Sequence, residues 1–165
     1  MSRFDLKNKE DGFTLIELVV SLFILTVILQ VFTFISMSIN SASVLRDNLI
    51  AVNLAQEGIE VARNIRDRDW FLGNSFGTSL PNGSGRVQWN STSILSLGGN
   101  PPLKKDSSTG VFSYDLGVDT VFKRTITVSL ISANEIQITS TVNWDIKSNS
   151  KSISAEAHLF NWFNP

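Results

Sequence analysis

From Leu18 to Ile39 the chain runs for 22 residues without a charge, and 16 of them are apolar. A helix rises 1.5 Å per residue, so this run would be about 33 Å long against a hydrocarbon core of roughly 30 Å. It is long enough to cross a bilayer once. Its 15 Leu, Ile, Val and Phe residues contribute about −5 to −9 kcal/mol on an insertion scale, before the cost of Ser21, Thr26, Gln30, Thr33, Ser36 and Ser38. The run is apolar around its whole circumference, which in a soluble protein would need a large surrounding core. A chain of 165 residues does not offer one. A secretory signal peptide would have an apolar region of about 7 to 15 residues, shorter than this, although Ser41-Ala42-Ser43 has the composition of a cleavage site. Arg3, Lys7 and Lys9 precede the run and only Arg46 follows closely, so the short amino-terminal tail is expected to stay cytoplasmic and everything after Asn40 to face outward.

Composition narrows the chemistry. With no cysteine and a single His158, thiolate catalysis, disulfides and most zinc sites are excluded, and no nucleophile, base and orienter set is visible. No enzyme activity, metal or cofactor is therefore expected. A formal charge of −1 argues against a dedicated nucleic-acid binder.

Ahead of the apolar run stands Gly12-Phe13-Thr14-Leu15-Ile16-Glu17, preceded by a short polar leader, Met1 to Asp11. This order of leader, hexapeptide and spanning segment resembles the processing site of type IV pilins and type II secretion pseudopilins. The resemblance implies a prepilin peptidase/methyltransferase that cuts between Gly12 and Phe13 and methylates the new Phe13 amine. It also implies assembly with other pilin or pseudopilin subunits on an inner-membrane platform. Gly12 suits a scissile position because it leaves the backbone unobstructed. Glu17 is a carboxylate at the start of a membrane helix, where an ionisable group needs a partner. It can meet the Phe13 amine of its own chain one helical turn away, or that of a neighbour in a helical assembly, the register device the family implies; a plain helix cap is the third reading. The leader is less basic than many in the family, and no proline interrupts the span, the first being Pro81. The missing proline tilts the assignment towards a minor subunit.

Beyond Asn40 the helical pattern continues but becomes amphipathic. Leu45, Leu49, Val52, Ala55, Ile59, Ala62 and Ile65 form one stripe, and a continuous helix from Phe13 to about Arg68 would be roughly 84 Å long. The segment Leu54-Ala55-Gln56-Glu57-Gly58-Ile59-Glu60-Val61-Ala62-Arg63-Asn64-Ile65-Arg66-Asp67 is similar to the stalk of V-type minor pilins and I-type minor pseudopilins. Gly58 inside it marks a bend or a close approach. The cluster Arg63, Arg66, Asp67, Arg68 and Asp69 reads as a docking patch or a solvated helix end.

From Gly73 to Gly110, seven glycines, three prolines, eight serines and four asparagines in 38 residues indicate turns and loops, with short strands around 86–90 and 93–97. After Gly110 the period changes to two. Strands are expected over 121–131, 135–146 and 151–162, with Phe122, Ile126, Val128 and Leu130, then Ile136, Ile138, Val142, Trp144 and Ile146, then Ile153, Ala155, Ala157 and Leu159 facing one way. Connections at Ser132-Ala133-Asn134 and Lys147-Ser148-Asn149-Ser150 predict antiparallel hairpins. Asp115 and Asp119 fall short of a calcium set. Trp70, Trp89, Trp144 and Trp162 are candidates for core packing or for stacking on sugars or bases. Lys104, Lys105, Lys123 and Arg124 form a sparse basic set.

The expected protein is α+β, with a long amino-terminal helix, half membrane-spanning and half amphipathic, packed on a carboxyl-terminal antiparallel sheet in the pilin manner. Its parts are a leader (1–12), a transmembrane and polymerisation helix (13–39), an amphipathic head helix (40–70), a variable loop-rich region (71–110) and an antiparallel sheet (111–165). The expected function is a minor pilin, a structural subunit of a type IV pilus. The alternatives are a pseudopilin of a type II secretion system or competence DNA-uptake pseudopilus, and, more remotely, a permanently membrane-anchored binding protein. Membrane lipid is an expected partner and a specific nucleic acid is not. The chain would start as a single-pass inner-membrane protein and end in an extracellular pilus or a periplasmic pseudopilus.

Overall fold

A computed structural model describes residues 12–146 and 149–163 of the chain. The leader residues 1–11 and the turn residues Lys147 and Ser148 lie outside the described set, so the expectations placed on them are not addressed. One helix, α1 (Leu15–Phe71), is followed by eight strands: β1 (Gly83–Arg86), β2 (Leu95–Ser96), β3 (Lys104–Lys105), β4 (Phe112–Ser113), β5 (Val118–Asp119), β6 (Lys123–Ser132), β7 (Glu135–Ile146) and β8 (Asn149–Phe160). The expected α+β architecture, a long amino-terminal helix packed on an antiparallel sheet, is what the fold contains. The chain forms two compact units, divided after Ser43 within α1.

In the first unit the helix is a single row of turns whose apolar side chains meet no other part of the described protein. Its most apolar 18-residue window has a mean hydropathy of 2.7 and is 0% buried. Four hydroxyls of the apolar run bond back to the helix. Ser21 donates to the Glu17 carbonyl at 2.7 Å, Thr26 to Phe23 at 2.7 Å, Thr33 to Gln30 at 2.8 Å and Ser36 to Phe32 at 3.0 Å. In hydrocarbon an unpaired polar group costs several kcal/mol, so back-bonding to the same helix removes most of the penalty these residues would impose.

The second unit is built on a five-stranded antiparallel sheet in the order β2-β1-β6-β7-β8, with β4-β3-β5 as a small separate sheet. The long hairpin of β6 and β7 sets the register, pairing Arg124 with Val142, Ile126 with Ser140 and Val128 with Ile138. β8 continues it, pairing Ala157 with Ile138 and Ile153 with Val142. Strand alternation then sends Ile126, Val128, Ile136, Ile138 and Val142 to the helix-covered face, where all are buried. Two clusters fill the interface. One joins Ile59, Val61, Ala62 and Ile65 of α1 to Ile126, Val128, Ile136 and Ile138. The other joins Ala51, Leu54 and Ala55 to Leu103, Phe122, Val142 and Trp144.

Gly58 stands between the clusters, and its role is close approach. A Cβ there would run into Ser140 Oγ and lie 2.8 Å from Ile126 Cδ1. The glycine lets the helix backbone settle onto the sheet at the place where Ser140 is the small residue opposite. Helix α1 ends in a Schellman arrangement: Gly73, at φ 73°, donates to Trp70 O at 3.0 Å, and Asn74 donates to Asp69 O at 2.8 Å.

Several sequence expectations are corrected. Leu45 and Leu49 are exposed, while the covered face of α1 begins at Ala51 and runs through Leu54, Gly58 and Val61 beside the stripe residues Ala55, Ile59, Ala62 and Ile65. Leu130 is exposed, at the point where the β6–β7 ladder becomes irregular between Leu130 and Ser132. Of the two short strands, β2 falls inside the expected 93–97, whereas β1 lies ahead of the expected 86–90 and shares only Arg86 with it; Gly83, which begins β1, pairs directly with Val128 of the long hairpin. Strand β8 stops at Phe160, so Trp162 lies beyond the sheet.

Candidate processing and assembly site

Gly12, Phe13 and Thr14 precede α1 in extended chain and all three are exposed. Phe13 and Leu15 keep about four fifths of their surface, at 78% and 82%. The Gly12–Phe13 bond, the cut expected from the sequence, joins two exposed residues just ahead of the helix. Among the described residues, none beyond its chain neighbours stands within 4 Å of where a Gly12 side chain would be.

Glu17 falls in the first turn of α1 and faces back along the chain. Thr14 Oγ1 donates to Glu17 Oε2 at 3.3 Å, Thr14 N donates to the same oxygen at 3.5 Å, and Glu17 N donates to Thr14 Oγ1 at 3.4 Å. This is a capping box, in which Thr and Glu three residues apart satisfy each other's orphan donors at a helix start. The Thr-x-x-Glu spacing before an apolar run was the available signal for it. The contacts are long, and Glu17 is exposed, so the cap leaves the carboxylate able to accept a stronger cationic partner. Phe13 and Glu17 are brought to the same helix end, and the helix dipole favours the carboxylate there by about 0.3–1 kcal/mol.

The charged candidates of the second unit turn out to be structural. Arg124 is fully buried: Nη1 donates to Leu54 O at 2.9 Å, Nη2 donates to Val87 O at 2.6 Å, and Glu57 lies 3.4 Å away. It cannot serve a surface basic set. Asp69 is also buried, accepting from Ser79 N at 2.9 Å, Ser79 Oγ at 2.7 Å and Asn74 Nδ2 at 3.3 Å. Arg124 could not be found from local pattern, because Leu54 and Val87 lie 70 and 37 residues away, whereas the partners of Asp69 stand only five and ten residues on. Asp115 accepts from Gln88 Nε2 at 2.6 Å, and Asp119 sits in β5. Of the tryptophans, Trp144 is in the core and Trp70 nearly so, while Trp89 and Trp162 are exposed.

Three titrations are shifted. Hydrogen bonding to Glu135, whose Oε1 is 2.7 Å from Nδ1, raises the His158 imidazole above its usual range, with a smaller contribution from Glu156. Asp106 is held low, first by the Ser108 backbone N–H and then by the Ser108 and Thr109 hydroxyls. Burial pushes the Tyr114 phenol up, against the opposing charges of Arg124 and Arg86.

Residues 7–29 match the family model described as the prokaryotic N-terminal methylation motif, the signature of type IV pilins and pseudopilins. The matched stretch holds Gly12, Phe13 and Glu17 together with the first half of the apolar run. No curated protein and no solved structure was found to match the chain.

Proposed function

We propose that the protein is a minor pilin, a structural subunit of a type IV pilus. Prepilin peptidase removes residues 1–12, methylates the Phe13 amine, and releases a subunit that assembles through its amino-terminal helix. The methylation motif at residues 7–29 carries this reading, and the uncovered apolar helix that follows supports it. Before assembly the helix over 13–39 anchors the subunit in the inner membrane, with the leader in the cytoplasm. Residues 40–70 support the head, 111–165 supply its sheet, and 71–110 form the region specialised in each subunit. Glu17 exchanges its Thr14 cap for the Phe13 amine of a neighbour, because a cationic donor outcompetes the uncharged Thr14 donors for a carboxylate where water is scarce. The role is structural, not catalytic.

Intact mass and amino-terminal sequencing of the membrane-extracted protein, with and without a co-expressed prepilin peptidase, test the proposal. A start at methylated Phe13 is expected. Survival of Met1 beside an active peptidase would overturn it in favour of a permanently anchored binding protein. The similarity of Leu54–Asp67 to the stalk of I-type minor pseudopilins keeps one alternative in view, a subunit of a secretion or DNA-uptake pseudopilus. Recovery in sheared filaments selects the pilus, whereas co-purification with secretion components selects the pseudopilus.

A further inference from the structure

At the carboxyl-terminal end of α1 an aromatic surface has no role in the core. Trp162 and Phe71 are 71% and 89% exposed, and they flank Phe163 and the nearly buried Trp70. Trp162 meets Trp70 at right angles, with ring centroids 5.0 Å apart, and Phe163 lies 5.8 Å from Trp70. These four rings and Asp67 line a cavity of about 520 Å3, inside the roughly 300–1,000 Å3 of small-molecule sites. A second cavity of about 260 Å3 adjoins it, sharing Trp70 and Phe163 and adding Asn74, Ser75 and Asn161.

The two cavities differ in chemistry. The first offers ring faces; the second offers amides and a hydroxyl. Asn74 and Asn161 each tie their amide nitrogen inward, to Asp69 Oδ1 and Asn134 Oδ1 at 3.3 Å, leaving their oxygens to accept from a ligand. Asp67 is held at the rim by Arg66, 2.7 Å away, whose guanidinium also lies 4.7 Å from the Trp70 ring centroid. A pyranose matches this pairing: its C–H face packs on an aromatic ring, while its equatorial hydroxyls project sideways towards hydrogen-bonding groups. A single-stranded nucleic acid would also stack, but it needs a basic track, and here the rim carries Asp67. A bilayer surface would reward the rings and leave the polar cavity unpaired. We infer that the Trp162–Phe71–Phe163 surface and its neighbouring amide pocket bind an uncharged oligosaccharide, with Trp162 as the stacking platform and Asp67, Asn74 and Asn161 as the hydroxyl partners. The inference does not depend on which filament the chain enters.

The full chain in lipid nanodiscs, free of sugar-headed detergent, is titrated calorimetrically with cellohexaose and with chitohexaose. Saturable binding to one of them is expected, weakened about tenfold or more in W162A and F71A and unchanged in W89A, whose exposed indole lines a different cavity. Phe71 buries almost nothing, so F71A keeps the test valid if W162A perturbs folding. No saturable heat with either sugar overturns the inference, as does full affinity in both variants. So does binding of oligothymidylate in place of the sugars.

Discussion

Replacing Arg124 gives the sharpest test of how the head holds together. Its guanidinium is fully buried and joins three segments: α1 through Leu54 O and Glu57, the chain after β1 through Val87 O, and β6 on which it stands. Leu54 O belongs to a helical residue and keeps a helix partner when the arginine is lost, so Val87 O is the group left stranded. A hydrogen bond from a charged donor contributes about 1.5–3 kcal/mol, and truncating a large buried side chain to alanine costs about 2–5 kcal/mol through the cavity it leaves. R124A should therefore destabilise the head by about 3–5 kcal/mol, which at about 4 °C per kcal/mol lowers Tm by roughly 12–20 °C. R124M keeps most of the stem volume and loses mainly the Val87 hydrogen bond, for about 1–3 kcal/mol. E57Q removes a carboxylate that is 34% exposed and only 3.4 Å from Nη1; solvent screening limits its cost to about 1 kcal/mol. Tryptophan emission and near-ultraviolet dichroism of the full chain in detergent report the head, because all four tryptophans lie after Ser43 and helicity of the apolar segment does not contribute. The order R124A, R124M, E57Q in decreasing cost is expected. An R124A cost below about 1 kcal/mol would refute the buried clamp, and an E57Q cost equal to that of R124A would mean that the ion pair, rather than the carbonyls, anchors the helix.

Four further outcomes follow from the same geometry. G58A gains about 1 kcal/mol in helix propensity but drives a methyl into Ser140 and Ile126, an overpacking cost of about 1–3 kcal/mol; net destabilisation in thermal melts, relieved by pairing it with S140G, is expected. D69A strands Ser79 N and should cost about 2–3 kcal/mol, with faster hydrogen exchange over residues 74–79 as the second readout. His158 should titrate above its usual 6.5 or so by NMR. Its folded pKa is raised, so its stabilisation is full below the unfolded pKa and fades as pH rises through the folded value; E135Q should pull the midpoint down, and an unmoved midpoint would contradict the Glu135 hydrogen bond. E17A should still be cut at Gly12–Phe13, giving the shortened mass, yet be lost from sheared filaments; wild-type recovery there would remove Glu17 from assembly.

Local pattern reached far in this chain where the signal is local. The apolar run needs only its own composition to declare a helix, and period-two alternation in 123–160 needs only neighbouring residues to declare strands. The expectation of a turn-rich middle was equally local, resting on glycine, proline and serine content. It failed at the places where distant residues decide. Leu45 and Leu49 match the helical period as well as Ile59 does, but no strand lies over them. Arg124 reads as a surface cation beside Lys123, and only the approach of Leu54 and Val87, 70 and 37 residues away, makes burial tolerable. The aromatic surface joins residues 71 and 162, which no window could connect.

The N-terminal methylation motif and the α+β class were thus legible in sequence alone, because motif, capping spacing and hydrophobic period act over a few residues. Which charges are buried, where the helix touches the sheet at Gly58, and which tryptophans remain on the surface were decided by tertiary structure. Those outcomes depend on the register of the β6–β7 hairpin, which brings together groups too far apart in the chain to influence one another before it forms.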